Sequence, residues 1–189
     1  MSTIEIVAAL FGVVTVYLSV RQNIWNWPVG IVNVALYVVV FYRERLYAGM
    51  GLQVIYIVLA LYGWYQWLYG GVGRTPLPVT RAMPRELLLA TAAGALAAWG
   101  IGAPLARYTD ASLPYLDAAL VGASLVAQWM STRKLLENWL VWIVADIVYI
   151  GMYVYKRLYP TAALYAVFTA LAIWGYVQWK QSLRPPAAA

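Results

Sequence analysis

The chain has 189 residues, of which 64% are hydrophobic and 11% charged. A soluble domain averages about 45–50% and about 25%, so this is an integral membrane protein whose first partner is the lipid bilayer. The net charge of +6 lies between apolar stretches and so reflects membrane topology rather than nucleic-acid binding, while the lack of Cys and His removes disulfides, thiol nucleophiles and the commonest metal ligands, leaving no cofactor implied and most enzyme classes unsupported.

The first apolar stretch covers about 4–20 and carries Glu5 without a basic n-region, so it reads as a retained span and not a cleaved signal. Six more follow at about 27–42, 46–69, 86–106, 113–132, 138–155 and 159–179. The prediction is an all-α integral membrane protein with seven transmembrane helices. The joints "RER" near 43–45 and "KRL" near 156–158 are short and force antiparallel neighbours. The longer connection 70–85, "GGVGRTPLPVTRAMPR", reads as a loop. Seven spans put the termini on opposite sides. Five Lys and Arg fall on one side (Arg43, Arg45, Arg107, Lys156, Arg157) and eight on the other (Arg21, Arg74, Arg81, Arg85, Arg133, Lys134, Lys180, Arg184). The excess predicts an outside N-terminus and a cytoplasmic C-terminus.

An internal repeat is the strongest signal. "NWPVGIVNVALYVVVFYRERLYAGMGLQVIYIVLALYGWYQW" (26–67) aligns without a gap on "NWLVWIVADIVYIGMYVYKRLYPTAALYAVFTALAIWGYVQW" (138–179), at an offset of 112 and with 15 of 42 positions identical. Apolar bias does not bring Asn-Trp, Arg-Leu-Tyr and Gly-x-x-Gln-Trp into one register. Ser19/Ser131 and Arg21/Arg133 extend the match upstream. The units are a three-helix repeat in 1–69, a loop and linker helix in 70–112, and a second three-helix repeat with a short tail in 113–189. An odd linker helix leaves both repeats in one orientation, a 3+1+3 parallel repeat of the SWEET-like kind with its substrate site near the midplane.

Polar residues within the spans fall on shared helix faces. In the sixth, Asn138, Trp142, Asp146, Tyr149 and Tyr153 are spaced i, i+4, i+8, i+11 and i+15. A carboxylate mid-span costs roughly 2.5–3.5 kcal/mol on insertion scales. Asp146 therefore either faces a substrate path among aromatic rings, or pairs with a neighbouring Arg or Tyr for packing, or is protonated. The third span presents Gln53, Tyr56, Ala60, Gly63 and Trp67. The seventh presents their offset partners Tyr165, Phe168, Ala172, Gly175 and Trp179. Gln53 can read a carboxamide or hydroxyl, or tie two helices. The second span presents Asn26, Gly30, Asn33, Tyr37 and Phe41, with Asn33 one residue from the offset partner of Asp146. Gln128 and Trp129 are weaker candidates, Gln66 and Gln178 read as interfacial, and Asp110 and Asp117 read as solvated near a boundary.

The "NWPVG…Y" run, the "ENWLVWIVADIVY…YKRLYPTAALYAVF" run and the Gly-x-x-Gln-Trp ends resemble the Pnu-type bacterial vitamin transporters, whose founding members carry nicotinamide riboside. The resemblance covers about 4–181. It implies a homotrimer in the bacterial inner membrane, one pathway per protomer, and facilitated diffusion of a small vitamin followed by trapping through cytoplasmic phosphorylation. Relatives carry nicotinamide riboside, thiamine, riboflavin or deoxynucleosides. Nicotinamide riboside and thiamine both contain a planar cationic ring, which suits a carboxylate framed by aromatic faces. The substrate-binding residues expected are Trp142, Asp146, Tyr149, Asn138, Gln53, Asn33, Tyr56, Tyr165 and Gln128. Riboside carriers have Trp-x-x-x-Asn in the sixth span where this chain has Trp142-x-x-x-Asp146, a departure that bears on the cargo and not on the family.

Overall fold

The computed structural model describes residues 3–43, 45, 47–108 and 113–183. They form seven helices: α1 Thr3–Val20, α2 Asn26–Arg43, α3 Tyr47–Tyr69, α4 Pro84–Tyr108, α5 Pro114–Thr132, α6 Asn138–Tyr155 and α7 Tyr159–Ser182. Each matches an apolar stretch of the sequence to within a few residues. Prolines stand in the first turns of α4, α5 and α7, where their missing N–H has no intrahelical acceptor to lose. The joints end their helices with residues in the left-handed region: Gln22 and Lys134 (φ 52° and 49°), and Arg45 and Arg157 (φ 57° and 59°). Both pairs are 112 residues apart, so one strained turn is used twice in each case. The same holds at the starts of α2 and α6. Asn26 Nδ2 donates to the Asn23 carbonyl at 2.7 Å, and Asn138 Nδ2 to the Leu135 carbonyl at 2.6 Å.

Six of the helices form a closed ring. α1 packs on α2, α2 on α3, α3 on α5, α5 on α6, α6 on α7, and α7 on α1, while α4 lies outside against α5. The α3–α5 and α7–α1 contacts are the offset copies of one another. The segment between α3 and α4 folds back over one end of the ring. Thr80 N–H donates to the Lys134 carbonyl, Leu136 N–H to the Thr80 carbonyl, and Ala82 N–H to Glu137 Oε2 at 2.8 Å. Val79 is thereby buried in the main apolar cluster. Asp110 and Arg184 lie outside the described residues.

The outer faces are apolar. Leu10, Val58, Leu88, Leu96 and Val144 are all at least 60% exposed. A water-soluble protein rarely leaves so much large apolar surface uncovered, and a bilayer covers it. Among the described residues α4, α6 and α7 are long and apolar enough to cross a membrane by length and composition, and Ile6–Val20 is a shorter apolar helix. The chain is a multi-pass membrane protein.

Candidate functional site

The ring encloses a cavity of about 390 Å³. Each of the six ring helices contributes about four residues to its wall: Gly12, Thr15, Val16 and Ser19 from α1; Asn26, Trp27, Gly30, Asn33 and Val34 from α2; Leu52, Gln53, Tyr56 and Ala60 from α3; Val121, Ser124, Gln128 and Ser131 from α5; Trp139, Trp142, Asp146 and Tyr149 from α6; Tyr165, Phe168, Ala172 and Trp179 from α7. Among the described residues α4 contributes none. A volume of this order suits a ligand of nucleoside size held in a largely preformed cleft.

Eight of the nine expected residues meet there: Trp142, Asp146, Tyr149, Gln53, Asn33, Tyr56, Tyr165 and Gln128. Asn138 does not line the cavity. It is 1% exposed at the start of α6, where its amide is engaged by Leu135 and by Ser131 Oγ at 3.0 Å. The helical face that carries Asp146 is therefore split by depth, with Asn138 joining the turn below it.

Asp146 is 4% exposed and opens onto the cavity. Among the described residues no hydrogen bond or ion pair reaches its carboxyl, and the one salt bridge is elsewhere, between Arg133 and Glu86 at 3.6 Å. Beside Asp146, Tyr149, Tyr153 and Tyr165 form a compact aromatic group. Their centroids are 5.8 Å apart for Tyr149–Tyr153, 4.8 Å for Tyr149–Tyr165 and 5.2 Å for Tyr153–Tyr165, and Phe168 stands edge-on to Tyr165 at 5.7 Å. The Ser124 hydroxyl serves both Tyr56 and Tyr149, linking α3 to α6 through α5. Asn33 Nδ2 donates to the Ala8 carbonyl, which leaves its oxygen available to the cavity.

Four tryptophans pack together at the opposite end. Trp27 meets Trp67 edge-on at 5.3 Å, Trp67 meets Trp179 at 5.9 Å, and Trp179 meets Trp139 edge-on at 5.2 Å. Gly63 and Gly175 make room for this. A Cβ at Gly175 would come within 2.6 Å of the Trp139 ring, and one at Gly63 would strike Trp27. Above the cluster, Lys134 Nζ lies 4.4 Å from the Trp67 ring centroid and 3.4 Å from Gln22 Oε1. Lys134 sits in the joint between α5 and α6, and burial pulls its ammonium down to about 8 from an ordinary 10.5.

Thr15, Ser124 and Trp139 were not among the expected substrate contacts. Trp139 was visible as the offset partner of Trp27, but the small hydroxyls carry no periodic signal in a span that tolerates Ser and Thr. Trp129 faces away from the cavity into a groove with Arg85, Glu86 and Arg133.

Comparison with known proteins places this architecture. The chain is 24% identical over 209 residues to a protein named nicotinamide riboside transporter PnuC from Escherichia coli (strain K12), covering 97% of this chain and 87% of that one. It is 27% identical over 180 residues to a protein named riboflavin/roseoflavin transporter RibM from Streptomyces davaonensis, covering 93% of this chain and 83% of that one. The crystal structure of the Vitamin B3 transporter PnuC superposes with a TM-score of 0.72 at 26% identity, over 94% of this chain and 80% of that chain. The family model described as nicotinamide mononucleotide transporter matches residues 2–181, and with that match across nearly its whole length the chain belongs to this family of membrane transporters.

Proposed function

We propose that this transporter carries nicotinamide riboside by facilitated diffusion, with a kinase in the cytoplasm trapping the imported molecule by phosphorylation. The observation that carries the reading is Asp146: a buried carboxylate without a cationic partner among the described residues, open to a nucleoside-sized cavity and one helical turn from Trp142. A planar cation satisfies both groups at once, with the ring stacking on aromatic faces and the charge set against the carboxylate. Gln53 and Asn33 stand in the same wall and suit a carboxamide and ribose hydroxyls. The name of the Escherichia coli relative, a nicotinamide riboside transporter, supports the same cargo. The test is thermal stability of the purified protein with nicotinamide riboside, thiamine and riboflavin, since a ligand that binds only the folded state raises the midpoint by mass action. Stabilisation by nicotinamide riboside alone is expected.

A second reading keeps the site and changes the cargo. The aspartate in Trp142-x-x-x-Asp146, and a relative named for riboflavin and roseoflavin, favour another vitamin such as thiamine or riboflavin. Stabilisation by one of these alone would select it.

We further read the chain as seven membrane spans arranged 3+1+3, with 1–69 and 113–189 as parallel repeats and 70–112 as loop and linker. The paired turns, the paired asparagines and the ring of six helices around one cavity support this organisation. The same reading has a homotrimer in the bacterial inner membrane, the N-terminus outside, the C-terminus cytoplasmic, uniport without ion coupling, no catalytic activity, no cofactor and no nucleic-acid partner.

A further inference from the structure

Two indole N–H groups cross between the halves of the molecule in exchange. Trp67, on α3, donates to the main-chain carbonyl of Ser131 at the end of α5 at 3.0 Å, and Trp179, on α7, donates to that of Ser19 at the end of α1 at 3.1 Å. Donors and acceptors are each 112 residues apart. The two ring centroids are 5.9 Å apart, so the bonds meet in one cluster at the tryptophan end of the cavity. Both rings are at most 3% exposed. The other two tryptophans of the cluster are in the opposite condition: the indole nitrogens of Trp27 and Trp139 are buried without a hydrogen-bond partner. A buried orphan donor disfavours the arrangement that creates it. This end thus holds two bonds that tie the halves together and two indole donors without a protein acceptor, all four related by the same offset.

We propose that Trp67 and Trp179 are the gate at this end of the transport pathway, and that the gate opens by breaking the two exchanged bonds together, as the α3–α5 and α7–α1 contacts part. Each bond spans one of those two contacts, so neither helix pair can separate with its bond intact. The inference rests on the transporter reading and is independent of which cargo is carried.

The chain has no cysteine, so a single reporter thiol can be placed without background. Thr15→Cys puts it in the cavity wall. Trp67→Phe and Trp179→Phe each keep a ring and remove one N–H. With a membrane-impermeant maleimide, applied in turn to intact cells and inside-out vesicles, each Phe variant is expected to speed Thr15→Cys labelling severalfold from the face that carries the α3–α4 connection, and not from the opposite face. Trp25→Phe removes an exposed tryptophan at the same end and should leave the rate unchanged. Unchanged labelling in both Phe variants, or acceleration from both faces, overturns the gate. A second measurement uses the unaltered chain: indole hydrogen exchange of Trp67 and Trp179 by NMR. Joint opening requires one shared rate, and two rates differing by a power of ten overturn it even where the variants fail to fold.

Discussion

Asp146→Asn separates the charge of the site from its shape. The amide is nearly isosteric with the carboxylate, so the cavity wall is preserved and only the charge is lost. For a cation centred about 5 Å from a carboxylate at an effective dielectric of about 20, the Coulomb attraction is about 3 kcal/mol. Folding has already borne the desolvation of the buried carboxylate, so binding receives most of this attraction. An amide oxygen recovers part of it as an ordinary dipole. The expected loss for nicotinamide riboside is therefore about 1.5–3 kcal/mol, or about 10- to 150-fold in Kd. Stability should move the other way. A buried carboxyl gains nothing from its charge until the cation arrives, so the ligand-free variant should melt at the same temperature or higher. Calorimetric titration of both proteins with nicotinamide riboside, alongside their melting curves, measures the two effects. Unchanged affinity for the cation in a folded Asp146→Asn protein would show that the carboxylate charge does not hold the ligand.

Other outcomes follow from the same geometry. Trp142→Ala should weaken a cationic ligand by about 3- to 30-fold through lost stacking and cation–π attraction, read by the same titration. Gly175→Ala places a methyl against the face of Trp139 and should cost about 1–3 kcal/mol in unfolding, while Gly151→Ala, with open space around its Cβ, should be neutral or slightly stabilising. Lys134 has its ammonium lowered by burial to about 8 from 10.5. Between about pH 8 and 10.5 the unfolded chain binds that proton and the folded one does not, so its contribution to stability rises with pH across the window. Lys134→Met should remove that slope and stabilise the protein at pH 7 by at most about 3 kcal/mol, less whatever the Trp67 ring and Gln22 contribute to holding the cation. Melting curves of the two proteins from pH 7 to 10 compare them.

Much of this architecture was legible in the residues. Helix number and limits follow from apolar length, and the offset of 112 anticipates the matched turns at Gln22 and Lys134 and the matched tryptophans. The α6 face was legible from Trp142 to Tyr149 because helical spacing fixes which side chains share a side. Asn138 lies on that same face and yet leaves the cavity, because the hydrogen-bond demands of the α5–α6 joint claim its amide first. Spacing reports direction around a helix and not depth along the pathway. Ser124 was illegible for another reason: its importance comes from Tyr56 and Tyr149, which are 68 and 25 residues away in sequence, and only the closed ring brings them to it. The exchanged Trp67 and Trp179 bonds end on backbone carbonyls, which no side-chain pattern encodes.

Counterflow in proteoliposomes reads carriage of nicotinamide riboside itself. Vesicles loaded with unlabelled nicotinamide riboside and diluted into a trace of the labelled compound should accumulate label transiently, without an ion gradient or ATP, and Asp146→Asn should do so only at higher concentration. Accumulation no greater than in protein-free vesicles, or accumulation driven by riboflavin or thiamine and not by nicotinamide riboside, would contradict it.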